Sequence, residues 1–394
     1  MKQLIYLLCF LAISQSIHSQ SSIDFVLEQV AKNNNSLKAQ RSRLSAEKVE
    51  NSTGNYLQNP EVEFHYLWSN PGNIGTRTDI SIKQGMDFPT AYKYRNKISD
   101  LKNQQLELDY TKQMKDIMLL TRTICLKLVY TNYLNKVLIS RHSNAVSIAD
   151  AYKSKYDIGE TNILEYNKAQ MGLINISNKL ELNKIERVSL LSDLAGLNGG
   201  IPLNFDDYKF EKSDIPVDFD QWYIESEQNN PILNWLKQEI EVAMFTEKYN
   251  RAMSLPKLEA GYMSEKLVGE QFQGVIIGLS IPLWENKNTV KYAKENTLAY
   301  KDITVDTKIL FYNNLKTLHS KAVLLQKNAT NFSEQLALLN NTELLLKALS
   351  MGEISLIEYY YEISMYYDSQ DNLMEMELDL NQTIAELKKY ITHD

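Results

Sequence analysis

Along most of this chain the apolar residues recur every three or four positions, the spacing of a helix with one buried face. Two windows break that rhythm and alternate at every second position instead. Ile23 to Tyr56 suits a helix, which Asn59-Pro60 ends, because proline cannot continue it and restricts the residue before it. In the first alternating window Val62, Phe64, Tyr66 and Trp68 point one way and Glu63 and His65 the other. Ser69 to Thr76 reads as a loop, and Ile80, Ile82, Met86 and Phe88 then alternate with Asp79, Ser81, Lys83 and Asp87 up to Pro89. In the second window Leu258, Ala260 and Tyr262 are followed by a loop around Glu265 to Gln271. Val275, Ile277, Leu279 and Ile281 then alternate with Gly274, Gly278 and Ser280. Each window therefore predicts a β-hairpin, with strands of about 10 residues, the length that crosses a bilayer when tilted.

After each hairpin comes a long helical stretch, from about Ala91 to Tyr156 and from about Glu285 to Leu349. At 1.5 Å per residue each would extend roughly 100 Å. The seam of the first shows in Met114, Ile117, Thr121, Ile124 and Leu128. A glycine turn and a returning helix follow in both cases. The first return carries Tyr166, Ala169, Leu173, Ile176, Leu180, Asn183, Arg187, Leu190, Leu194 and Leu197 in a three–four rhythm. Moving 193 positions on gives Tyr359, Glu362, Tyr366, Ser369, Leu373, Met376, Leu380, Thr383, Leu387 and Tyr390. The polar members Asn183, Arg187 and Ser369 suggest a wide or water-lined helical assembly.

The chain is thus a duplication. YDIGETNILEY (156–166) matches LSMGEISLIEY (349–359), and Pro89 matches Pro282 at the same offset. The boundaries read as residues 20–198 for the first repeat and 218–394 for the second, with hairpins at 61–88 and 257–282. Residues 199–217 form an irregular linker, broken by Gly199, Gly200, Pro202 and Pro216, that would run as an equatorial belt. Two hairpins alone are barely stable in water, and no other strand candidate covers them. Open edges must be paired, and in lipid they must close into a barrel. Four strands cannot close one, so several chains would share it: two would supply about 8 strands, three about 12.

Composition narrows the function. Lys2 followed by the apolar run Leu4 to Ile13 predicts a secretory signal over 1–19, with Cys9 inside it. Removal of that segment takes the formal charge from −7 to about −8, a poor match for nucleic acid. Cys125 would then be the lone cysteine, with no disulfide partner. No segment approaches 18 consecutive apolar residues, so no transmembrane helix is expected. His65, His142, His319 and His393 have no metal-site spacing, and no nucleophile or phosphate-loop motif appears. No enzyme activity, cofactor or metal is expected. Met351, Met365, Met374 and Met376 read as core packing or as soft-metal contacts.

The paired tips, with the hairpins and prolines in repeat order, resemble the TolC family of outer-membrane efflux proteins over essentially the whole mature chain. The Asp87–Tyr92 stretch and the compact length resemble the family's heavy-metal branch. The resemblance implies a mainly α fold with a small β part: a long coiled-coil α-barrel continuous with a transmembrane β-barrel shared by a homotrimer. It implies a passive exit duct in the outer membrane, with the helical part in the periplasm. Its partners would be a periplasmic adaptor protein and an inner-membrane pump of the RND type. The family's second tip reads G-x-x-x-x-x-D-V-L-D-A. Glu358 falls at the first acid and Tyr361 at the second, with Glu362 beside it, so these three are the expected pore constriction. A carboxylate ring there would favour cations. Gly159, Glu160, Glu165, Gly352 and Glu353 are the expected tip and adaptor-contact residues. Val275, Ile277, Leu279 and Ile281 are the expected lipid-facing ones. An Arg that helps hold the gate in some members falls at Ile354. A secreted coiled-coil scaffold, or a duct for type I protein secretion, are the alternative readings.

Overall fold

A computed structural model describes residues 22–70 and 75–391. The expected signal over 1–19 with its Cys9, loop residues 71–74 and His393 lie outside the described residues. The elements run α1 (Ser22–Asn33), α2 (Asn35–Ser52), β1 (Glu61–Trp68), β2 (Thr76–Met86), α3 (Pro89–Asp157) and α4 (Ile163–Leu197). They continue as α5 (Phe219–Asn229), α6 (Pro231–Met253), β3 (Lys257–Leu267), β4 (Glu270–Ser280), α7 (Thr289–Leu338), α8 (Thr342–Met351) and α9 (Leu356–Lys388). The described chain divides into two compact units, and α2, α3, α5 and α7 contribute residues to both.

One unit comprises residues 39–112 and 227–311. It holds a four-stranded antiparallel sheet in the order β1-β2-β3-β4, so β2 and β3 join the two repeats in one sheet. The register puts Val62 opposite Ile82, Ile82 opposite Tyr262 and Tyr262 opposite Val275. The expected loop at Glu265 to Gln271 is shorter than predicted. The ladder continues to Leu267–Glu270, and Val268 and Gly269 make the turn. Gly269 has φ +85°, a conformation that costs glycine nothing. Where β2 leads into α3, Arg95 gathers the corner. Its guanidinium donates to Asp87 Oδ2 at 2.8 Å, to Tyr249 Oη at 3.0 Å and to the Gly54 carbonyl at 2.6 Å. Asp87 is buried and its amide donates to Tyr92 Oη, so the Asp87–Tyr92 stretch is a packed corner.

The other unit comprises residues 22–38, 113–226 and 312–391. α3 and α4 meet along the predicted seam, where Ala169, Leu180, Asn183, Leu190 and Leu194 are buried. Of the polar seam residues, Asn183 is buried while Arg187 and Ser369 are half-buried, and the first two are paired within the chain. Asn183 Nδ2 donates to the Thr131 carbonyl at 3.1 Å, and Arg187 Nε donates to Asn132 Oδ1 at 2.7 Å. A buried polar group is stable only when so paired. The chain contains neither helix nor strand from 198 to 218, and this stretch is anchored. Phe205 is fully buried, Asn132 donates to the carbonyls of Phe205 and Asp207, and Asp206 pairs with Arg187. Cys125 lies in this core, where burial pushes its thiol up to about 12 and leaves it unreactive.

Three predicted elements differ. The helix expected over Ile23–Tyr56 is two. Asn34 interrupts it, accepting from the Leu37 amide at 2.9 Å and donating to the Leu197 carbonyl at 2.8 Å. The second long helix is interrupted between α7 and α8, at Asn340 and Asn341. In the middle of α9 the buried stripe runs one residue later than predicted: Ile363 and Met374 are buried, whereas Glu362 is exposed. A straight helix of 3.6 residues per turn drifts against a 3.5 repeat. An apolar neighbour takes the inward place from a carboxylate.

Candidate functional site

The two tips share one backbone construction. At the first, the Gly159 amide bonds to the Tyr156 carbonyl and the Glu160 amide to Lys155. At the second, Gly352 bonds to Leu349 and Glu353 to Ala348. This is the Schellman arrangement, and both glycines sit at φ +77°. No atom lies where a Cβ would stand at either glycine, so the positive φ alone demands the residue. Three residues on, Asn162 caps α4 and Ser355 caps α9. A Gly352→Val variant is expected to raise protease cleavage at residues 350–356 while the sheet assembles unchanged. Unaltered cleavage would show that the left-handed turn is dispensable.

Glu358 is the third residue of α9 and closes a capping box. Its carboxylate accepts from the Ser355 amide and hydroxyl, both at 2.7 Å. The amide bond first and the hydroxyl second hold its pKa below the ordinary carboxylate value. The contribution of this contact is present above the unfolded pKa and is lost as pH falls through the depressed one. Glu165, at the same place in α4, accepts from Lys168 at 2.7 Å instead. Tyr361, Glu362, Glu160 and Glu353 are exposed. Exposed apolar side chains accompany them: Ile158 and Leu164 at the first tip, Met351 and Ile357 at the second.

Beneath the tips Ile148, Ala169, Leu349, Leu356, Tyr359 and Ile363 form one cluster. Ile354, at the position where the resemblance would place an Arg, packs against it. The arginine that does tie helices together here is elsewhere. Arg141 on α3 is 4% exposed. It grips Asp371 on α9 through both terminal nitrogens, at 2.9 and 2.8 Å. It also donates to Gln370 Oε1 at 3.0 Å and stands 4.1 Å over the Tyr367 ring. A fork of this kind is the strong form of an ion pair. The sequence reading missed it because the partners are 230 residues apart. Of the methionines, Met374 is buried while Met351 and Met365 are exposed, so they share no site.

The sheet carries a different kind of surface. One face bears Val62, Phe64 and Tyr66 on β1, Ile80 and Ile82 on β2, Tyr262 on β3, and Val275, Ile277 and Leu279 on β4. All nine are exposed, Val275 and Ile277 at 82% and 84%. The opposite face carries the ion pairs, Lys83 with Glu63 and Arg77 with Asp79 and Glu265, beside exposed Leu67, Met263 and Phe272. Trp68 stands exposed at the loop end, and Tyr56 and Trp284 are exposed just outside the opposite ends of the strands. Val275, Ile277 and Leu279 thus stand in a continuous apolar face, with Ile281 exposed just beyond β4. Among the described residues no helix is long and apolar enough to cross a membrane, and no cluster of His, Cys, Asp or Glu could hold a metal ion.

No protein-family model matches the sequence, and no curated protein matches it. Solved structures do. The CmeC outer membrane channel of Campylobacter jejuni aligns with a TM-score of 0.78 at 15% identity, over 93% of this chain and 85% of that one. CusC, from a study of folding and transmembrane channel formation, aligns at 0.77 with 13% identity, over 94% and 92%. The outer membrane protein VceC of Vibrio cholerae aligns at 0.72 with 10% identity, over 94% and 95%. These likenesses are to channel proteins, not to enzymes. Together with the four-stranded sheet and the paired helix tips, they show that this chain has the fold of the TolC-like outer-membrane channels.

Proposed function

We propose that this chain is the outer-membrane channel subunit of a tripartite efflux system, a passive exit duct that conducts substrates from the periplasm to the exterior. The observation that carries this is the sheet. Its apolar face is exposed on all four strands, and the outer edges of β1 and β4 have no strand partner among the described residues. A patch of this kind marks a surface that leaves water, and an open edge in lipid must be paired. Joining β4 of one chain to β1 of the next resolves both demands. A homotrimer would then close a barrel of about 12 strands. The charged face, with its Glu63–Lys83 and Arg77–Glu265 pairs, would line the lumen. Exposed tryptophan and tyrosine near both ends of the strands suit the two membrane interfaces.

The tips are the proposed docking end. Exposed Ile158, Leu164, Met351 and Ile357 beside Glu160 and Glu353 offer an apolar contact with an acidic border to a periplasmic adaptor, itself coupled to an inner-membrane pump of the RND type. Glu358, Tyr361 and Glu362 are the proposed constriction.

Single-channel recording of the detergent-purified protein in a planar bilayer, with cross-linked mass measured on the same sample, tests the reading. Cation-selective openings from a trimer are expected. A non-conducting oligomer that stays soluble without detergent would overturn it in favour of a secreted coiled-coil scaffold. In the same recording Glu358→Ala is expected to lower cation over anion selectivity about two- to threefold by removing a carboxylate ring. Unchanged selectivity would leave Glu358 as a helix cap alone.

A further inference from the structure

At one end of the sheet the four strands join helices, and the character of the surface changes there. α3 leaves β2 and α7 follows β4, while α2 and α6 lead into β1 and β3. The four ends meet. Arg95 on α3 donates to the Gly54 carbonyl just past α2 and to Tyr249 on α6, and Asn250 on α6 donates to the Thr289 carbonyl at the start of α7, at 3.0 Å. All these residues belong to the unit that holds the sheet. Bases collect in these turns, although the chain as a whole carries −7. Asp87 is taken by Arg95, Glu247 by Arg251 and Glu285 by Lys257. Six lysines remain: Lys93 and Lys97 on α3, Lys248 on α6, Lys287 ahead of α7, and Lys291 and Lys294 on it. Among the described residues none of the six forms an ion pair; Lys97 is half-buried and the others are exposed. Glu50 and Glu295 are the unpaired acids in the same helical turns.

Two features separate these from ordinary surface lysines. The ammonium groups of Lys97 and Lys248 stand 5.9 and 4.6 Å from the centroid of one ring, Phe245, itself 6.3 Å from the Tyr94 ring. Two like charges held to one ring repel unless an anion offsets them. In addition, α7 has no acid in its first turn and places Lys291 there, where the helix dipole disfavours a cation. By contrast α1, α4, α5, α8 and α9 each carry an acid in the first turn. Between the lysines and the apolar face of the sheet, Tyr56, Leu57, Leu283 and Trp284 are exposed.

We propose that this lysine collar binds the headgroup phosphates of anionic phospholipids, in the leaflet on the helical side of the sheet. The inference rests on the reading of the sheet as membrane-spanning. Charge and position together choose the occupant. An apolar band, then exposed aromatic residues, then unpaired lysines is the order in which a bilayer presents hydrocarbon, interface and phosphate. The long lysine stems carry the ammonium groups to headgroup level from helices that start just outside it.

The test reconstitutes the full-length protein into vesicles of equimolar phosphatidylethanolamine and phosphatidylglycerol. The floated vesicles are extracted in mild detergent, and native mass spectrometry identifies the lipid that stays bound. Retained lipid is expected to be enriched in phosphatidylglycerol about tenfold over the vesicle ratio, because each lysine near the surface adds to the attraction. Changing Lys97, Lys248, Lys291 and Lys294 together to Gln is expected to bring the ratio to within about twofold of the vesicle value, and changing the same four to Arg to preserve the enrichment. Lys327→Gln with Lys347→Gln, exposed in the other unit, is the control expected to keep it. Wild-type protein that floats but retains both lipids in the vesicle ratio overturns the collar and leaves the membrane reading standing. So does a floating glutamine variant that keeps the enrichment. Wild-type protein that does not float overturns both.

Discussion

Arg141→Met is expected to loosen α9 from α3 more than any other single substitution in the helical unit. The guanidinium is buried and makes a two-pronged pair with Asp371, while its face covers the Tyr367 ring. Removing one member of a buried pair typically costs about 3–5 kcal/mol, because the other charge is stranded. Asp371 keeps 24% of its side-chain exposure, so water recovers part of the loss and about 2–3 kcal/mol remains. Amide exchange in α9 around Tyr367 to Asp371 reads this directly, as protection lowered about 30- to 150-fold. Arg141→Lys keeps the charge but not the fork, and should fall between. The double variant Arg141→Met with Asp371→Leu should recover part of the protection, since it strands no charge. Protection in Arg141→Met equal to wild type would mean that the apolar cluster around Leu356, Tyr359 and Ile363 holds α9 alone.

Ile277→Lys is expected to keep the protein out of the membrane fraction. Ile277 stands at the middle of β4, 84% exposed, opposite Ala260 and between Val275 and Leu279 on the same face. If that face meets lipid, a lysine near the midplane costs about 2–4 kcal/mol in every chain of the assembly. Ile276→Lys places the same charge one residue away on the opposite face, where Gly261 is its partner and charged side chains are already present. Flotation of membranes on a density gradient separates the two. Ile277→Lys should be depleted from the floating fraction and Ile276→Lys retained. Equal retention would mean that the sheet lies in water, and the channel reading would fall with it.

The two substitutions draw on different levels of information. Ile277 was visible in the sequence because a strand's side chains alternate by geometry, so four apolar residues at every second position declare a face without knowledge of the partner. The tips were visible for a similar reason. A helix reversal needs a residue tolerant of positive φ, and the glycines at 159 and 352 stand in matching contexts. The interruptions at Asn34 and Asn341 also had a local sign, runs of asparagine that suit helix caps, but the helical rhythm on either side masked it.

By itself, then, the sequence determined the hairpins, the helix reversals and the duplication, all set by interactions within a few residues. Only the tertiary structure decided which strands meet. It joined β2 to β3 across the repeats and so merged two amphipathic ribbons into one apolar face. It also chose Ile363 over Glu362 for the interior of α9, a choice made by the helices packed against it. It brought Arg141 to Asp371 and gave Glu358 to the Ser355 cap, where periodicity showed only charged residues on helices. Pairing between distant residues leaves no period in the chain. It depends on which faces burial brings together, and burial is settled by the whole fold.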